Sequence, residues 1–460
     1  MHYTQCIRIP DQKLDNELGK STNISTIQSK IEIKEGIYFG KDLILPIDSD
    51  EFVATIGKTG SGKTAAIMKH TLYRTWTGPL VAIDIKGDLC TEYQTLKDRR
   101  RTAVLSFRKE LEWTYDPLAH VRESDDDDKI ANIEEIVHAL FPIRIDDKNP
   151  FFTESERSIV TAGLIFFYNR SGGQEDFVVM MSNIATIALN TLIMDIADSD
   201  DYEARFFINN FISEVKDKLT GELVNVVIFD PKTLYCISQG ITNRLKIFSD
   251  RRIQRVLCQS DKQVKWTELD DYSVFLSIPE DRLSLYGGIT SMILNQLIRT
   301  MERRPEMHSE EGKGQQKILL ALDEFARLGK MDVIADAVST LRSKNVTILL
   351  LMQSLAQLDR IYGENTRRII MENMGYVAIL RVNDPVSQKY FSDLIGTQSV
   401  EKESCTTSYG EGTCSFQTSS THEPIIRPHE FRTLNDIVVV TPDGIKRVEK
   451  IFYHNNPSGS

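Results

Sequence analysis

Eight consecutive residues, Gly57-Lys58-Thr59-Gly60-Ser61-Gly62-Lys63-Thr64, satisfy the pattern GxxxxGK[ST] at every fixed position. A loop that wraps a triphosphate must point several backbone N–H groups at it, and glycines permit that close approach. In such a loop Lys63 reaches the β- and γ-phosphates, and the Thr64 hydroxyl sits on Mg²⁺. A helix starting there would add its dipole to the attraction for the anion. The competing reading is a Gly-rich turn with no ligand. The apolar run entering from Phe52 to Ile56 and the helical stretch leaving from Lys63 to Trp76 argue against it.

Ile318-Leu319-Leu320-Ala321-Leu322-Asp323-Glu324 reads as the complementary half of the same chemistry. An apolar strand ending in a carboxylate sets Asp323 beside the phosphate loop to hold Mg²⁺. Glu324 then stands where it can polarise an attacking water. Strands often end in acidic residues, so this motif gains its meaning from its pairing with the first. Gln353 ends the next apolar run, where an amide can touch the γ-phosphate or simply bond the backbone. Arg342, on a predicted helix over 331–344, reads either as a site residue or as part of a solvated helix face. Asp84 and Lys86, at the end of another apolar run, are open between structural ion pairing and a place in the site.

Positioning these groups requires an α/β sheet. Leu80–Ile85 and Thr102–Phe107 are short apolar runs bounded by turn residues, as expected of buried parallel strands. Tyr272–Pro279, Lys317–Phe325, Val346–Ser354 and Tyr376–Val382 repeat that pattern further on. Ile289, Met292, Ile293, Leu297, Thr300 and Met301 form a stripe at helical spacing, a core face. Between 119 and 249 the patterning is mostly helical, and the economical architecture is one α/β domain interrupted by a helical insertion. The acidic run Asp125–Asp128 fits an N-cap and first helical turn better than a metal site, since four adjacent carboxylates cannot all face one ion. The expected boundaries are a polar segment 1–30, the α/β domain at 31–118 and 250–454, the insertion at 119–249, and a tail at 455–460.

The chain has 460 residues, 41% hydrophobic and 26% charged, an ordinary globular composition. A formal net charge of −11 argues against a basic coat for duplex DNA, though not against a locally basic channel. Six scattered cysteines with no CxxC pair fit a reduced, cytoplasmic chain. Cys405 and Cys414 are the one pair that could bridge a Ser/Thr-rich loop. No run of about 18 apolar residues occurs, and the N-terminus lacks the charged and apolar regions of a secretory signal.

Lys63 and Asp323 stand 260 residues apart, far more than a compact core requires. In that spacing the chain resembles the coupling-protein ATPases of conjugation and type IV secretion, the TraG/TraD family. The resemblance is carried by Thr-Gly-Ser-Gly-Lys-Thr (59–64), Val-Ala-Ile-Asp-Ile-Lys-Gly-Asp (81–88), Tyr-Asp-Pro-Leu (115–118) and Phe-Ser-Asp (248–250). It continues through Leu-Asp-Glu-Phe (322–325), Met-Gln-Ser-Leu-Ala-Gln-Leu (352–358), Tyr-Gly (362–363) and the segment 423–434. It implies a RecA-like P-loop NTPase domain with a mostly parallel central sheet, interrupted by an inserted all-α domain. It also implies a hexameric ring with ATP and Mg²⁺ between subunits, at the inner face of the cell membrane. Under it, Arg342 matches an arginine that reaches the neighbouring subunit's site, and Gln353 matches a sensor glutamine. Two departures stand out. The family usually begins with transmembrane helices, so either such a region preceded Met1 or this member docks onto a separate membrane protein. Leu341 replaces the glycine that many relatives carry before the arginine.

Two functions of different kind follow. The first is a ring motor that delivers single-stranded DNA with its relaxase, or effector proteins, to a type IV secretion channel, with cargo or adaptors received by the all-α domain. The second is a docking platform that nucleotide merely stabilises. An FtsK-type translocase on duplex DNA is a third reading, and the long helical insertion speaks against it. Intact Thr64, Asp323, Glu324 and Gln353 favour the motor, because a platform has no use for a water-activating carboxylate.

Overall fold

The computed structural model describes residues 34–90, 92–93, 96, 100–110, 112–143, 149–407 and 414–453. The predicted segment 1–30, the start of the first domain at 31–33 and the tail at 455–460 lie outside those residues. The chain opens with an antiparallel hairpin, β1 (Gly36–Gly40) and β2 (Leu43–Pro46). Then comes β3 (Phe52–Ile56), the strand that delivers the Gly-rich loop. The helix that leaves the loop, 64–75, contains two wide turns. The Lys69 N–H bonds the Thr64 carbonyl, and the Trp76 N–H bonds the Thr71 carbonyl at 2.8 Å, each five residues back. Such π turns are rare and concentrate at functional sites.

The remaining strands of the main sheet are β4 (Leu80–Asp84), β5 (Thr102–Ser106), β8 (Ser273–Ser277), β9 (Ile318–Leu322), β10 (Val346–Met352), β11 (Met374–Ile379), β14 (Ile437–Thr441) and β15 (Gly444–Val448). They form one nine-stranded sheet in the order β15-β14-β11-β3-β10-β9-β4-β8-β5. From β11 to β5 every pairing is parallel; β14 joins β11, and β15 joins β14, antiparallel.

The period of two along each strand divides the core into halves. Phe52, Ala54, Ile56, Val81, Ile83, Leu320, Leu322 and Leu350 face one core with helices 287–302 and 332–340. Val53, Leu80, Ala82, Leu319, Ala321, Leu349 and Leu351 face the other, under Ile67, Met68 and Leu72 of helix 64–75 and the β1–β2 hairpin. Both faces are covered, which is why the central strands read as unbroken apolar runs rather than alternating ones.

The insertion leaves the sheet after β5 and returns before β8. Its helices are Ala119–Arg122, Asp126–Leu140, Phe151–Arg170, Phe177–Thr186, Leu189–Ala197, Tyr202–Ile208, Pro231–Leu245 and Arg251–Val256. The long helix Phe151–Arg170 is its axis, with Ile159, Val160, Ala162, Leu164 and Ile165 buried. The acidic run forms the start of Asp126–Leu140: Asp126, Asp127 and Asp128 occupy the first turn and Asp125 the cap position. One expectation is corrected. The insertion is not all-α, because β6 (Ile212–Lys216) and β7 (Leu223–Val227) form an antiparallel hairpin within it. A second hairpin that the patterning did not announce, β12 (Thr397–Thr407) with β13 (Cys414–Pro424), follows the helix Pro385–Ile395. Its register sets Cys405 opposite Phe416 and Cys414 opposite Thr407, so the two cysteines are not a cross-strand pair. Among the described residues no single helix is long and apolar enough to cross a membrane.

Two of the family-like stretches earn a structural role where the insertion meets the sheet. The Tyr115 hydroxyl donates to Gln296 and accepts from Trp266 Nε1 at 2.9 Å, while Gln296 Nε2 donates to the Pro117 carbonyl at 2.9 Å. At the return, Asp250 accepts the Arg252 N–H and the Tyr286 hydroxyl, both at 2.8 Å.

Candidate nucleotide site

Parallel pairing brings the carboxyl ends of β3, β4, β9 and β10 to one edge. Ile56 is level with Met352, Leu322 with Leu350, and Ile83 with Leu322. Ligands bind at this edge in open α/β sheets because the loops diverge there and helix N-termini point at the gap. The Gly-rich loop leaves β3, Asp323 and Glu324 follow β9, Gln353 follows β10, and Asp84 to Lys86 close β4. The structure therefore assembles almost every predicted site residue in one place.

The loop is anchored at its start. The Gly57 N–H donates to the Met352 carbonyl at 3.1 Å, and the Lys58 N–H donates to the Arg381 carbonyl at 2.7 Å. Gly60 (φ 76°) and Gly62 (φ 98°) are left-handed, which a side chain would resist. At Gly62 a β-carbon would also sit 2.6 Å from the Phe452 ring. Ser61 is buried with an unpartnered hydroxyl, and nothing lies within 4 Å of where a Gly60 β-carbon would be. Lys63 is buried and donates from Nζ to the Gly57 carbonyl at 2.6 Å. Burial pushes its pKa down, against the charges of Glu324 and Asp323, which hold it up.

The Thr64 hydroxyl donates to Asp323, at 3.1 Å to Oδ2 and 3.4 Å to Oδ1. Burial raises the Asp323 pKa to about 6, with Lys86 opposing and the Glu324 charge adding to the rise. A hydroxyl and a carboxylate this close are the oxygen ligands a Mg²⁺ with phosphate and water would accept. Glu324 is 1% exposed and has φ 53°, ψ 42°. For a residue with a side chain that conformation costs about 1–2 kcal/mol. Its carboxylate is fixed from two sides: Lys86 Nζ donates to Oε1 at 2.6 Å and Gln353 Nε2 donates to Oε2 at 3.0 Å. Burial works against the Glu324 charge, but the Lys86 hydrogen bond, the Lys63 and Lys86 charges and Gln353 outweigh it and lower its pKa. The two carboxylates are thus pushed in opposite directions, Asp323 up and Glu324 down, and both are buried.

The two ambiguous residues separate. Lys86 belongs to the site. Asp84, fully buried, accepts the Gly87 N–H at 2.7 Å and the Cys90 N–H at 2.8 Å, and so shapes the turn that presents Lys86. Arg342 is not at this edge. Its Nη2 donates to the Asn373 carbonyl at 3.1 Å and pairs with Glu51 at 3.5 Å, and its guanidinium lies 5.5 Å from the Phe52 ring centroid. Glu51 and Asn373 precede β3 and β11, so Arg342 sits at the strand-start edge, away from its own chain's loop. One contact group was missed from sequence: Lys450, Phe452 and Tyr453, beyond β15, lie on the loop. No local pattern marks them.

A nine-stranded sheet with this loop, this carboxylate pair and a helical insertion defines a RecA-like P-loop domain. The chain belongs to the type IV secretory system conjugative DNA transfer family, whose model matches residues 11–459. It is similar to protein VirD4 of Rhizobium rhizogenes, 23% identical over 420 residues, 87% of this chain and 58% of that protein. It is also similar to the conjugal transfer protein TraG of Rhizobium radiobacter, 26% identical over 175 residues, 37% of this chain and 26% of that protein. Among solved structures it superposes on the bacterial conjugative coupling protein TrwBdeltaN70, unbound, with a TM-score of 0.66 at 16% identity, covering 93% of this chain and 91% of that one. TrwB in complex with ADP and Mg²⁺ gives 0.64, also at 16% identity, covering 92% and 91%. The chain spans 58% of the length of the VirD4 relative.

Proposed function

We propose that this chain is the ATP-hydrolysing coupling subunit of a type IV secretion or conjugation system, binding ATP with Mg²⁺. The observation that carries the proposal is the buried Glu324 carboxylate, held ionised by Lys86 and Gln353 next to the Thr64–Asp323 pair. A protein that only docked cargo would gain nothing from maintaining so strained and desolvated a carboxylate. The complex of its structural neighbour TrwB with ADP and Mg²⁺ supports the same reading.

In this reading the loop Gly57–Thr64 wraps the phosphates and offers them the backbone N–H groups that its own anchors, which engage those of Gly57, Lys58 and Ser61, leave over. Lys63 would move its donor from the Gly57 carbonyl to the β- and γ-phosphate oxygens, and Thr64 and Asp323 would hold Mg²⁺, which would supply neutralisation of phosphate charge. Glu324 orients a water and accepts its proton as the water attacks. Gln353, bonded to Glu324, carries the change of phosphate state into β10. Arg342 serves the site of the next subunit in a homohexameric ring.

The cargo is single-stranded DNA with its relaxase, effector proteins, or both, passed to membrane components of the channel at the inner face of the membrane. The insertion is the proposed receiving surface for effectors or adaptors. It exposes the large side chains of Tyr202, Phe206, Leu219, Leu223 and Tyr235, which a partner could cover.

Glu324→Gln tests the reading. The variant is expected to bind ATP as the wild type does and to lose turnover by at least about 10²-fold. Undiminished hydrolysis would remove Glu324 from its role. Wild-type hydrolysis should also rise per subunit with protein concentration and with added single-stranded DNA. A flat, DNA-blind rate would favour the docking platform or a protein-only cargo.

A further inference from the structure

The geometry points to Phe452 as the wall on which the nucleoside base of the bound nucleotide stacks, through a segment that lies outside every phosphate-binding motif. This rests on the reading of the Gly-rich loop as a nucleoside triphosphate site.

After β15 the chain turns back over the junction of the loop and helix 64–75. The Tyr453 N–H donates to the Ala65 carbonyl at 2.8 Å, and Lys450 Nζ donates to the Ser61 carbonyl at 3.3 Å. Between these two anchors the Phe452 ring is pressed on Gly62, where a β-carbon would stand 2.6 Å from it. The two adjacent aromatics are used differently. Tyr453 packs against His70 and Tyr73, with ring centroids 5.4 and 5.9 Å away, and lies under Arg74. Phe452 is 43% exposed, an apolar ring left half in solvent beside an anion-binding loop.

The sheet order shows which part of a nucleotide this ring would meet. On one side of β3 lie β10, β9 and β4, whose ends carry Gln353, Asp323–Glu324 and Lys86. These are the groups of the γ-phosphate end. On the other side lie β11, β14 and β15, and the Phe452 segment arrives from there. A ligand with its terminal phosphate toward Glu324 must send its sugar and base the opposite way. Phe452 meets it there, at the first turn of helix 64–75. Stacking on a ring is tolerant of base identity, because every base has a π-face. The wall would therefore serve ATP and GTP alike.

Binding of ATP, GTP and inorganic tripolyphosphate to the full chain, measured by calorimetry with Mg²⁺ present, tests the assignment. Phe452→Ala is expected to weaken ATP and GTP about tenfold each, in line with the loss of one base–aromatic stack. Tripolyphosphate, which has no base, should bind this variant and the wild type equally, which also shows that the loop is intact. Phe452→Trp should retain nucleotide affinity. ATP bound equally by Phe452→Ala and wild type would overturn the assignment. So would equal weakening of ATP and tripolyphosphate, which would make Phe452 a support for the loop instead. Failure of the wild type to bind ATP at all would instead remove the nucleotide reading of the loop.

Discussion

Glu324 shows what a single residue is made to tolerate here. It takes a left-handed backbone, gives up nearly all contact with water and keeps its charge, because Lys86 and Gln353 each occupy one carboxylate oxygen. The sequence pattern located Glu324, since a Gly-rich loop and an acid-ended strand define each other's function. It left Lys86 undecided, because its partner lies 238 residues further along the chain. In the proposed mechanism Lys86 positions Glu324, so its removal should affect the chemical step more than binding. Lys86→Met is expected to lower kcat about tenfold while ATP affinity stays within about twofold, since the phosphate contacts belong to the loop. Lys86→Arg should restore part of the rate, because a guanidinium can still reach the Glu324 carboxylate. Equal kcat in Lys86→Met and wild type, from steady-state ATP hydrolysis, would leave Lys86 only a structural ion pair. A change confined to KM would assign it to binding.

At the scale of elements, the central strands and the helix 64–75 were legible because continuous apolar runs and one long loop motif specify them locally. The hairpin of β6 and β7 was not. Ile212–Lys216 and Leu223–Val227 are five residues each, mostly solvent-exposed, and embedded in a helical stretch, so neither periodicity dominates. The wedge of Lys450 to Tyr453 was invisible for another reason, as only the return of the chain after β15 brings it onto the loop. The joint of the insertion sits between these cases: Phe248-Ser249-Asp250 stands out in the sequence as a family-like stretch, and only the fold shows what it does. Asp250 caps the helix Arg251–Val256 and receives the Tyr286 hydroxyl. Burial raises its pKa, but the Arg252 N–H, the Tyr286 hydroxyl and the Arg252 and Arg282 charges outweigh that and lower it. A lowered carboxylate pKa stabilises the fold above the unfolded value, and the contribution is lost as pH falls through the folded one. Asp250→Ala should therefore speed amide exchange across Arg251–Val256 about fivefold at pH 7, the loss of one cap. Against wild type at the same pH, that difference should shrink as pH falls from the ordinary aspartate value of about 3.9 through the lowered value that Asp250 has in the fold. An Asp250→Asn variant that exchanges as slowly as wild type at pH 7 would show that the Asp250 charge contributes nothing to the joint.

For the whole molecule, the position of Arg342 is the informative fact. It is 42% exposed, tethered lightly to Glu51 and the Asn373 carbonyl, and stands at the edge of the sheet opposite its own phosphate loop. A cyclic ring is built from heterologous contacts, in which one face of a subunit meets a different face of the next. An arginine that completes a neighbour's site must lie on a face that does not carry its own site, and Arg342 meets that condition. Sequence resemblance suggested the role, and only the fold could place the residue away from Lys63. Arg342→Ala should leave folding nearly unchanged, because an exposed ion pair contributes at most about 1 kcal/mol. Its hydrolysis should fall about 10³-fold or more if the guanidinium meets transition-state charge in trans. Lys63→Ala should be inactive for the opposite reason, having an arginine to give and no loop to use. Mixed in equal amounts at a concentration where the wild-type rate per subunit has levelled off, the two variants restore intact interfaces wherever an Arg342→Ala loop faces a Lys63→Ala arginine. Random assembly gives about a quarter of all interfaces that composition, so hydrolysis should recover to about a quarter of the wild-type rate if sites act independently. Recovery should be greatest near equal proportions and absent in either variant alone. Rings that form from the mixture and stay inactive at every ratio would place the completing group elsewhere.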